Sequence, residues 1–312
     1  MKFKKAVLIK IADSHFDQKY LDIINTFIEE KVSLDPNDPK LNEELKDCDC
    51  LLLGFQVSVG KDIFDAAPNL KYIGILATAY GTVDLAVAAQ RNIPVCNLAG
   101  YSTESVAEFT IAAILHEMRD IREGLKRAQS GNYSFEGIRA RELKNSNFGV
   151  IGLGSIGNRV AELATGFGAH VSYWSRTKKE ASFQYQELDM LLKSCMYISV
   201  NVAEANETIG LLNTNNLPLL NPDSILISTV PPPIIDSEAL AQRLSKNDIT
   251  FIFDHPDEMP KEELAKLTKF NNCVVYPPIA FLSDEARITK QELFVSNIKN
   301  FLAGTPTNVV NF

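Results

Sequence analysis

The chain has 312 residues, 46% of them hydrophobic, enough to bury a large core and to build two domains rather than one. Its net charge of −8 argues against nucleic acid or an anionic membrane surface as a general partner, and no apolar run approaches the roughly 20 residues of a membrane-spanning helix. Five cysteines, an odd number set mostly in apolar runs, read as free thiols in a reducing, cytoplasmic setting; Cys48 and Cys50 lack the further ligands of a metal site, so no metal is expected.

In chain order, the opening run carries lysines before apolar residues, but Lys10 interrupts it and no small-residue cleavage site follows. It reads as a first strand over 6–11. Strands over 50–53, 70–76 and 93–95 then alternate with helices over 18–30, 61–67 and 83–90, the rhythm of an α/β fold with a parallel sheet. Turn signals fall at 35–39 and 91–94. Thr78, Ala79, Tyr80 and Gly81 follow a strand and precede a helix, where open α/β sheets bind ligands; an ordinary connecting loop is the alternative. A helix from Ser102 or Thr103, with Glu104 in its first turn, is apolar nearly all round from Val106 to Leu115 and should be buried. His116 on it reads as a packed or surface histidine.

The run from Phe148 to Val160 is an apolar strand leading through Gly152, Gly154 and Gly157 into a helical pattern that includes Ser155 and Ile156. That spacing is a dinucleotide fingerprint: a tight turn, a close approach of backbone to pyrophosphate, and a helix packed tightly on its strand. A second strand over 169–174 closes the unit. About 20 residues beyond the glycines an acidic side chain would accept from a ribose 2′-hydroxyl, but here Ser175 stands there, followed by Arg176, Thr177, Lys178 and Lys179. Positive charge and a hydroxyl suit a 2′-phosphate, so NADP(H) is expected in preference to NAD(H); a solvated basic turn is the bland reading. Further strands are expected over 197–202, 224–229, 250–254 and 273–276, with helices over 237–244 and 284–302.

Taken together, the stretches 70–84, 93–97, 101–108 and 235–240 and the glycine fingerprint resemble the D-isomer-specific 2-hydroxyacid dehydrogenases, most closely the glycerate dehydrogenase (hydroxypyruvate reductase) branch. The resemblance implies two Rossmann-like, doubly wound parallel-sheet domains with an active-site cleft between them. One is a flavodoxin-like substrate domain, 1–100 completed by 285–312; the other is a dinucleotide-binding domain, 101–284. It further implies a homodimer built on the cofactor domains, and Asn201, Thr208, Thr229 and Asp254 as cofactor contacts beside the glycines.

Family chemistry moves a hydride between a nicotinamide and the C2 carbon of a 2-hydroxy or 2-keto acid, using an Arg to grip the acid, a His to donate the proton and a Glu to orient the His. Aligned on Asp236 and Leu240, the Arg position here is Pro231; the His position is Pro278; the Glu position is Met259, with Glu258 one residue early. Proline offers no donor and no charge. A general acid contributes about 10²–10⁴ in rate and a donor at a developing oxyanion about 10²–10³, so ordinary keto-acid reduction should be very slow. His255 with Glu258 could take over the proton transfer, although a loop histidine without that role is the simpler reading. Two functions follow: an NADP(H)-dependent oxidoreductase with a non-standard site acting on a small carbonyl compound or 2-keto acid, or a catalytically inactive relative that binds NADP(H) in a regulatory or assembly role.

Overall fold

In the computed structural model, which describes residues 2–312, the apolar runs assemble into two parallel sheets, each in its own compact unit. Strands of this kind are buried on both faces and so need helices above and below, which the intervening segments supply. The first sheet holds β1 (Phe3–Ile9), β2 (Ile28–Leu34), β3 (Cys50–Leu53), β4 (Tyr72–Ile75) and β5 (Val95–Cys96) in the order β2-β1-β3-β4-β5. Helices α1 (Gln18–Phe27), α2 (Leu41–Glu44), α3 (Lys61–Ala66) and α4 (Leu85–Gln90) connect them.

One expectation fails here. The helix expected over 18–30 stops at Phe27, and the chain passes directly into β2. From Ile28 the sequence alternates toward Val32 and Leu34, a period of two, and Lys5 on β1 pairs with Glu30 at 3.4 Å. The charged residues 29–31 looked like helix surface, whereas they face outward from a strand.

The second unit carries β6 (Asn147–Ile151), β7 (His170–Trp174), β8 (Gln184–Tyr185), β9 (Tyr197–Val200), β10 (Ile225–Ser228), β11 (Thr250–Phe253) and β12 (Cys273–Val275), in the order β12-β11-β10-β9-β6-β7-β8. Its helices are α5 (Thr103–Met118), α6 (Ile121–Gln129), α7 (Ser155–Gly166), α8 (Leu188–Ser194), α9 (Ser237–Leu244) and α10 (Lys261–Leu267). The last helix, α11 (Asp284–Leu302), is capped by the Ser283 hydroxyl accepting from the Ala286 N–H and belongs to the first unit. The units divide at Ser102 and Ser283: one unit runs to Ser102 and resumes over Ser283–Phe312, and the other is Thr103–Leu282.

In the first unit, Val7, Leu51 and Ile73 pack with Phe64 on one face, while Phe3, Leu52 and Tyr72 pack with Phe294 and Ile298 of α11 on the other. In the second, α5 is buried along Ala107, Ile111 and Ile114, as its apolar circumference requires, and lies against α7. His116 on α5 sits half-exposed with Nδ1 3.2 Å from Glu117. Each such side chain, fully buried, stabilises by about 1.5–3 kcal/mol. All five cysteines are free, four of them buried and Cys273 half-buried. Among the described residues no helix is long and apolar enough to cross a membrane.

Candidate active site

The second unit's sheet reverses its strand order between β6 and β9, the position where open α/β sheets hold ligands beyond their carboxyl ends. From β6 the chain turns through Gly152 at φ 96°, a left-handed conformation that glycine adopts without strain. Gly154 is the N-cap of α7, so the first-turn N–H groups face outward without intrahelical partners. A β-carbon on Gly157 would lie 1.9 Å from the Gly152 carbonyl oxygen, so only glycine allows this approach of helix to turn. On Gly154 a β-carbon would meet nothing within 4 Å. The ground in front of the helix is therefore open, and both its N–H groups and its dipole favour an anion there. Ser155 is exposed on that first turn, and Ile156 packs inward against the core.

One residue gains a role that its neighbours in sequence did not announce. The Lys179 ammonium donates to the Leu153 carbonyl at 2.7 Å, which brings a cation from the far turn into the glycine loop. Tyr173 holds that turn in shape, its hydroxyl donating to the Lys179 carbonyl at 2.8 Å and accepting from the Lys179 N–H at 2.9 Å. Ser175 is buried, and its hydroxyl donates to the Thr177 carbonyl at 2.7 Å, inside the turn rather than outward as the sequence suggested. Arg176 pairs with Glu207 at 3.3 Å, and Thr177 and Lys178 are exposed beside it.

At the end of β9, the Asn201 N–H donates to the Ile151 carbonyl at 2.7 Å and its side-chain amide to the Ser199 hydroxyl at 2.7 Å. Its buried Oδ1 has no partner, an acceptor that a ligand donor would satisfy. Thr208 does something else. It is buried, and its hydroxyl donates to the Ala203 carbonyl at 2.7 Å and accepts from the Ala205 N–H at 2.8 Å, shaping its own loop.

The carboxyl ends of β10, β11 and β12 bring together Thr229, the 254–259 loop and the 277–280 segment. Asp254 is buried; Oδ2 accepts from the Ala280 N–H at 3.0 Å and Oδ1 has no hydrogen-bond partner. Burial pushes its pKa up, opposed by the nearby His255. His255 Nδ1 lies 3.4 Å from Glu258, while Nε2 lies 3.2 Å from the Thr229 carbonyl and 3.7 Å from Asp254. Burial opposes its charge, but Glu258, Asp254 and Asp257 outweigh that and hold its pKa above the ordinary value. Nε2 thus points at the Thr229 carbonyl, while Nδ1 is buried at ion-pair distance from Glu258 without a hydrogen-bond partner. Pro231 and Pro278 are half-buried, and Met259 packs against the hydrophobic core. Within residues 229–231, 254–259 and 277–280, the titratable side chains are Asp254, His255, Asp257 and Glu258.

In the first unit, the Thr78 hydroxyl donates to the Leu98 carbonyl at 3.0 Å, and Asn97 donates to the Thr78 carbonyl at 2.7 Å. These bonds pin the base of a loop in which Thr78, Ala79, Tyr80 and Gly81 are all exposed. The sequence pointed to the loop but not to Asn97, whose only local signal is an amide directly after a strand.

The arrangement can be set beside known proteins. Residues 111–280 match the family described as D-isomer specific 2-hydroxyacid dehydrogenase, NAD binding domain. The chain is 32% identical over 310 residues to a glyoxylate reductase of Thermococcus litoralis, covering 93% of each protein. It is 30% identical over 263 residues to a hydroxypyruvate reductase of Blautia hydrogenotrophica, covering 80% of this chain and 81% of that protein. A solved acyclic imino acid reductase, in complex with NADPH and D-Arg, superimposes with a TM-score of 0.88 at 26% identity, covering 98% of this chain and 99% of that one.

Proposed function

The chain belongs to the D-isomer-specific 2-hydroxyacid dehydrogenase family, and from that premise we propose that it is an NADP(H)-dependent reductase whose site does not run the family's ordinary acid–base chemistry. The residues present fit a dinucleotide: open ground at Gly154, a left-handed Gly152, the exposed first turn of α7, and an unpartnered acceptor on Asn201. The glycine loop and α7 would hold the pyrophosphate, with the Lys179 ammonium alongside. Arg176, Thr177 and Lys178 support a preference for the 2′-phosphate, since the residue that follows β7 is Ser175 rather than an acid, and Glu207 is paired with Arg176. When bound, the dinucleotide supplies the hydride of the reduction.

The observation that carries the reading is the charge at the ends of β10, β11 and β12. Reducing a ketone builds negative charge on oxygen and calls for a proton donor. Here Pro231 and Pro278 offer none, the one protonated side chain, His255, turns Nε2 to the Thr229 carbonyl and is matched by Glu258, and the surplus of carboxylates at Asp254, Asp257 and Glu258 disfavours an alkoxide. A protonated imine of a 2-oxo acid reverses both demands. It arrives positive, already holds its proton, and becomes a neutral amine on accepting a hydride. Carboxylates nearby favour its charged form. The imino acid reductase, similar along nearly its whole length, supports this substrate class, whereas the glyoxylate and hydroxypyruvate reductases, similar at higher identity, are named for free 2-oxo acids. His255 and Glu258 then act as part of the acidic wall, His255 tying the 254–258 loop to the Thr229 carbonyl.

The test follows NADPH absorbance with glyoxylate and with hydroxypyruvate, each with and without ammonium or a small amine. Turnover should rise about tenfold or more when the amine is present. Turnover of the free keto acids at ordinary dehydrogenase rates of about 10–10³ s⁻¹ without amine would overturn the reading. Tight NADPH binding with no turnover of any of these supports the alternative, a non-catalytic NADP(H)-binding protein, which the three replaced positions favour. A homodimer and a cytoplasmic location belong to the same proposal. Tyr133 and Phe135, 84% and 86% exposed in the second unit, support the first, and five unpaired cysteines support the second.

A further inference from the structure

The first unit has a switch point of its own. In the order β2-β1-β3-β4-β5 the chain reverses between β1 and β3, and beyond their carboxyl ends lies a hollow of about 640 Å³. Lys10 and Lys290 line it, with His15, Asp35 and Asp38 at its sides and Phe55 among its apolar wall. Lys10 is held there by a backbone that a lysine rarely adopts, φ 56°, and Gln56 across from it has φ 58°. A β-carbon on Gly54 would lie 2.5 Å from the Lys10 carbonyl oxygen, so a glycine is needed to let this turn close. Left-handed non-glycine residues of this kind gather where a site is shaped.

The charges are left unmatched. Lys290 lies over the Tyr101 ring with its ammonium 5.6 Å from the centroid, and among the described residues no carboxylate or hydrogen bond is recorded for it. Burial pulls its pKa down, as for a cation lacking a counter-ion. The Lys10 ammonium has only a long bond of 3.4 Å to the Phe55 carbonyl. His15 Nδ1 lies 2.8 Å from the Ala12 N–H and 3.1 Å from the Ala12 carbonyl oxygen, so that ring nitrogen is engaged by backbone. Asp35 and Asp38 face the same space, and neither forms an ion pair among the described residues.

We propose that this hollow binds a free α-amino acid, its carboxylate taken by the ammonium groups of Lys10 and Lys290 and its ammonium by Asp35 and Asp38. Two cations and two carboxylates around one space match a zwitterion. A doubly charged anion such as phosphate would be repelled by the aspartates, and an amine alone by the lysines. The apolar wall suits an aliphatic side chain. The site is separate in its evidence from the reductase reading, since none of its residues is among those argued there.

Calorimetry on the full chain without dinucleotide tests it, with L-leucine and D-leucine as probes and 4-methylpentanoate, isoamylamine and sulfate as controls. At least one leucine enantiomer should bind, with each control weaker by roughly ten- to hundredfold, the loss expected when a charged hydrogen bond is removed. Lys290→Met and the double change Asp35→Asn with Asp38→Asn should each weaken leucine by a similar factor, while Lys290→Arg retains most of the affinity. Urea unfolding midpoints close to that of the unaltered protein show that the variants are folded. Absence of leucine binding at millimolar concentration, sulfate binding as tightly as leucine, or leucine binding that survives Lys290→Met would each overturn the proposal. None of these outcomes bears on NADPH oxidation, so the two readings fail independently.

Discussion

A methyl group distinguishes the glycines of the fingerprint. On Gly157 it would meet the Gly152 carbonyl at 1.9 Å, so Gly157→Ala must open the turn and should cost about 1–3 kcal/mol or more in urea unfolding, with cofactor binding lost alongside. Gly154→Ala has room within the protein and should leave stability within about 0.5 kcal/mol, yet its methyl enters the space for the pyrophosphate. NADPH affinity measured by fluorescence should therefore fall by about tenfold or more at unchanged stability. His255 makes a second residue-scale prediction. Its folded pKa is raised, so the paired imidazolium stabilises fully below the unfolded value near 6.5 and that contribution vanishes as pH rises through the folded value. His255→Gln should cost about 1–3 kcal/mol at acid pH and little at alkaline pH, read from urea unfolding of both proteins across the range. The glycine turn was legible in sequence because Gly152 and Gly157 answer local steric demands and Gly154 keeps the ground before the helix open. The Lys179 contact with Leu153 and the pairing of His255 with Thr229 were not, since they join residues 26 positions apart through the folding of two strands.

Between elements, the packing of α8 on β6 is nearly interlocked. A β-carbon on Gly149 would come within 2.5 Å of the fully buried Leu191 side chain. Gly149→Ala should destabilise by about 1–3 kcal/mol through crowding, and Leu191→Ala by about 2–5 kcal/mol through a cavity. Combined, the new methyl occupies part of the space the leucine vacates, so the double variant should be more stable than the sum predicts. Additive values in urea titrations would show that the two sites do not share that volume. The parallel sheets were readable because both-sided burial writes continuous apolar runs such as Cys50–Leu53 and Ile225–Ser228. β2 was misread because it is the edge of its sheet, half-solvated, and its charged residues mimic the outer side of a helix. α6 escaped notice for the complementary reason, having no buried residue to set a period.

For the whole molecule, specificity and assembly can be measured together. NADPH should bind more tightly than NADH, and Lys178→Glu with Arg176→Asp should narrow or reverse that preference, seen as a change in the ratio of the two dissociation constants. Equal affinities in the unaltered protein would remove the 2′-phosphate argument. Tyr133→Ser with Phe135→Ser should move the sedimentation equilibrium toward monomer if those exposed rings seat a second copy. The α/β class was visible from the alternation of strand and helix signals, and the two units from chain length and the family resemblance; the substrate was not, because replaced side chains report what is absent and leave what is reduced to the electrostatics of folded loops.

The thiols carry a practical corollary. Burial holds Cys48, Cys96, Cys195 and Cys273 near 11 and Cys50 higher still, so almost no thiolate exists at neutral pH. Iodoacetamide should find the native thiols inert, and each alkylated cysteine counted by mass spectrometry would then mark a molecule that had come apart.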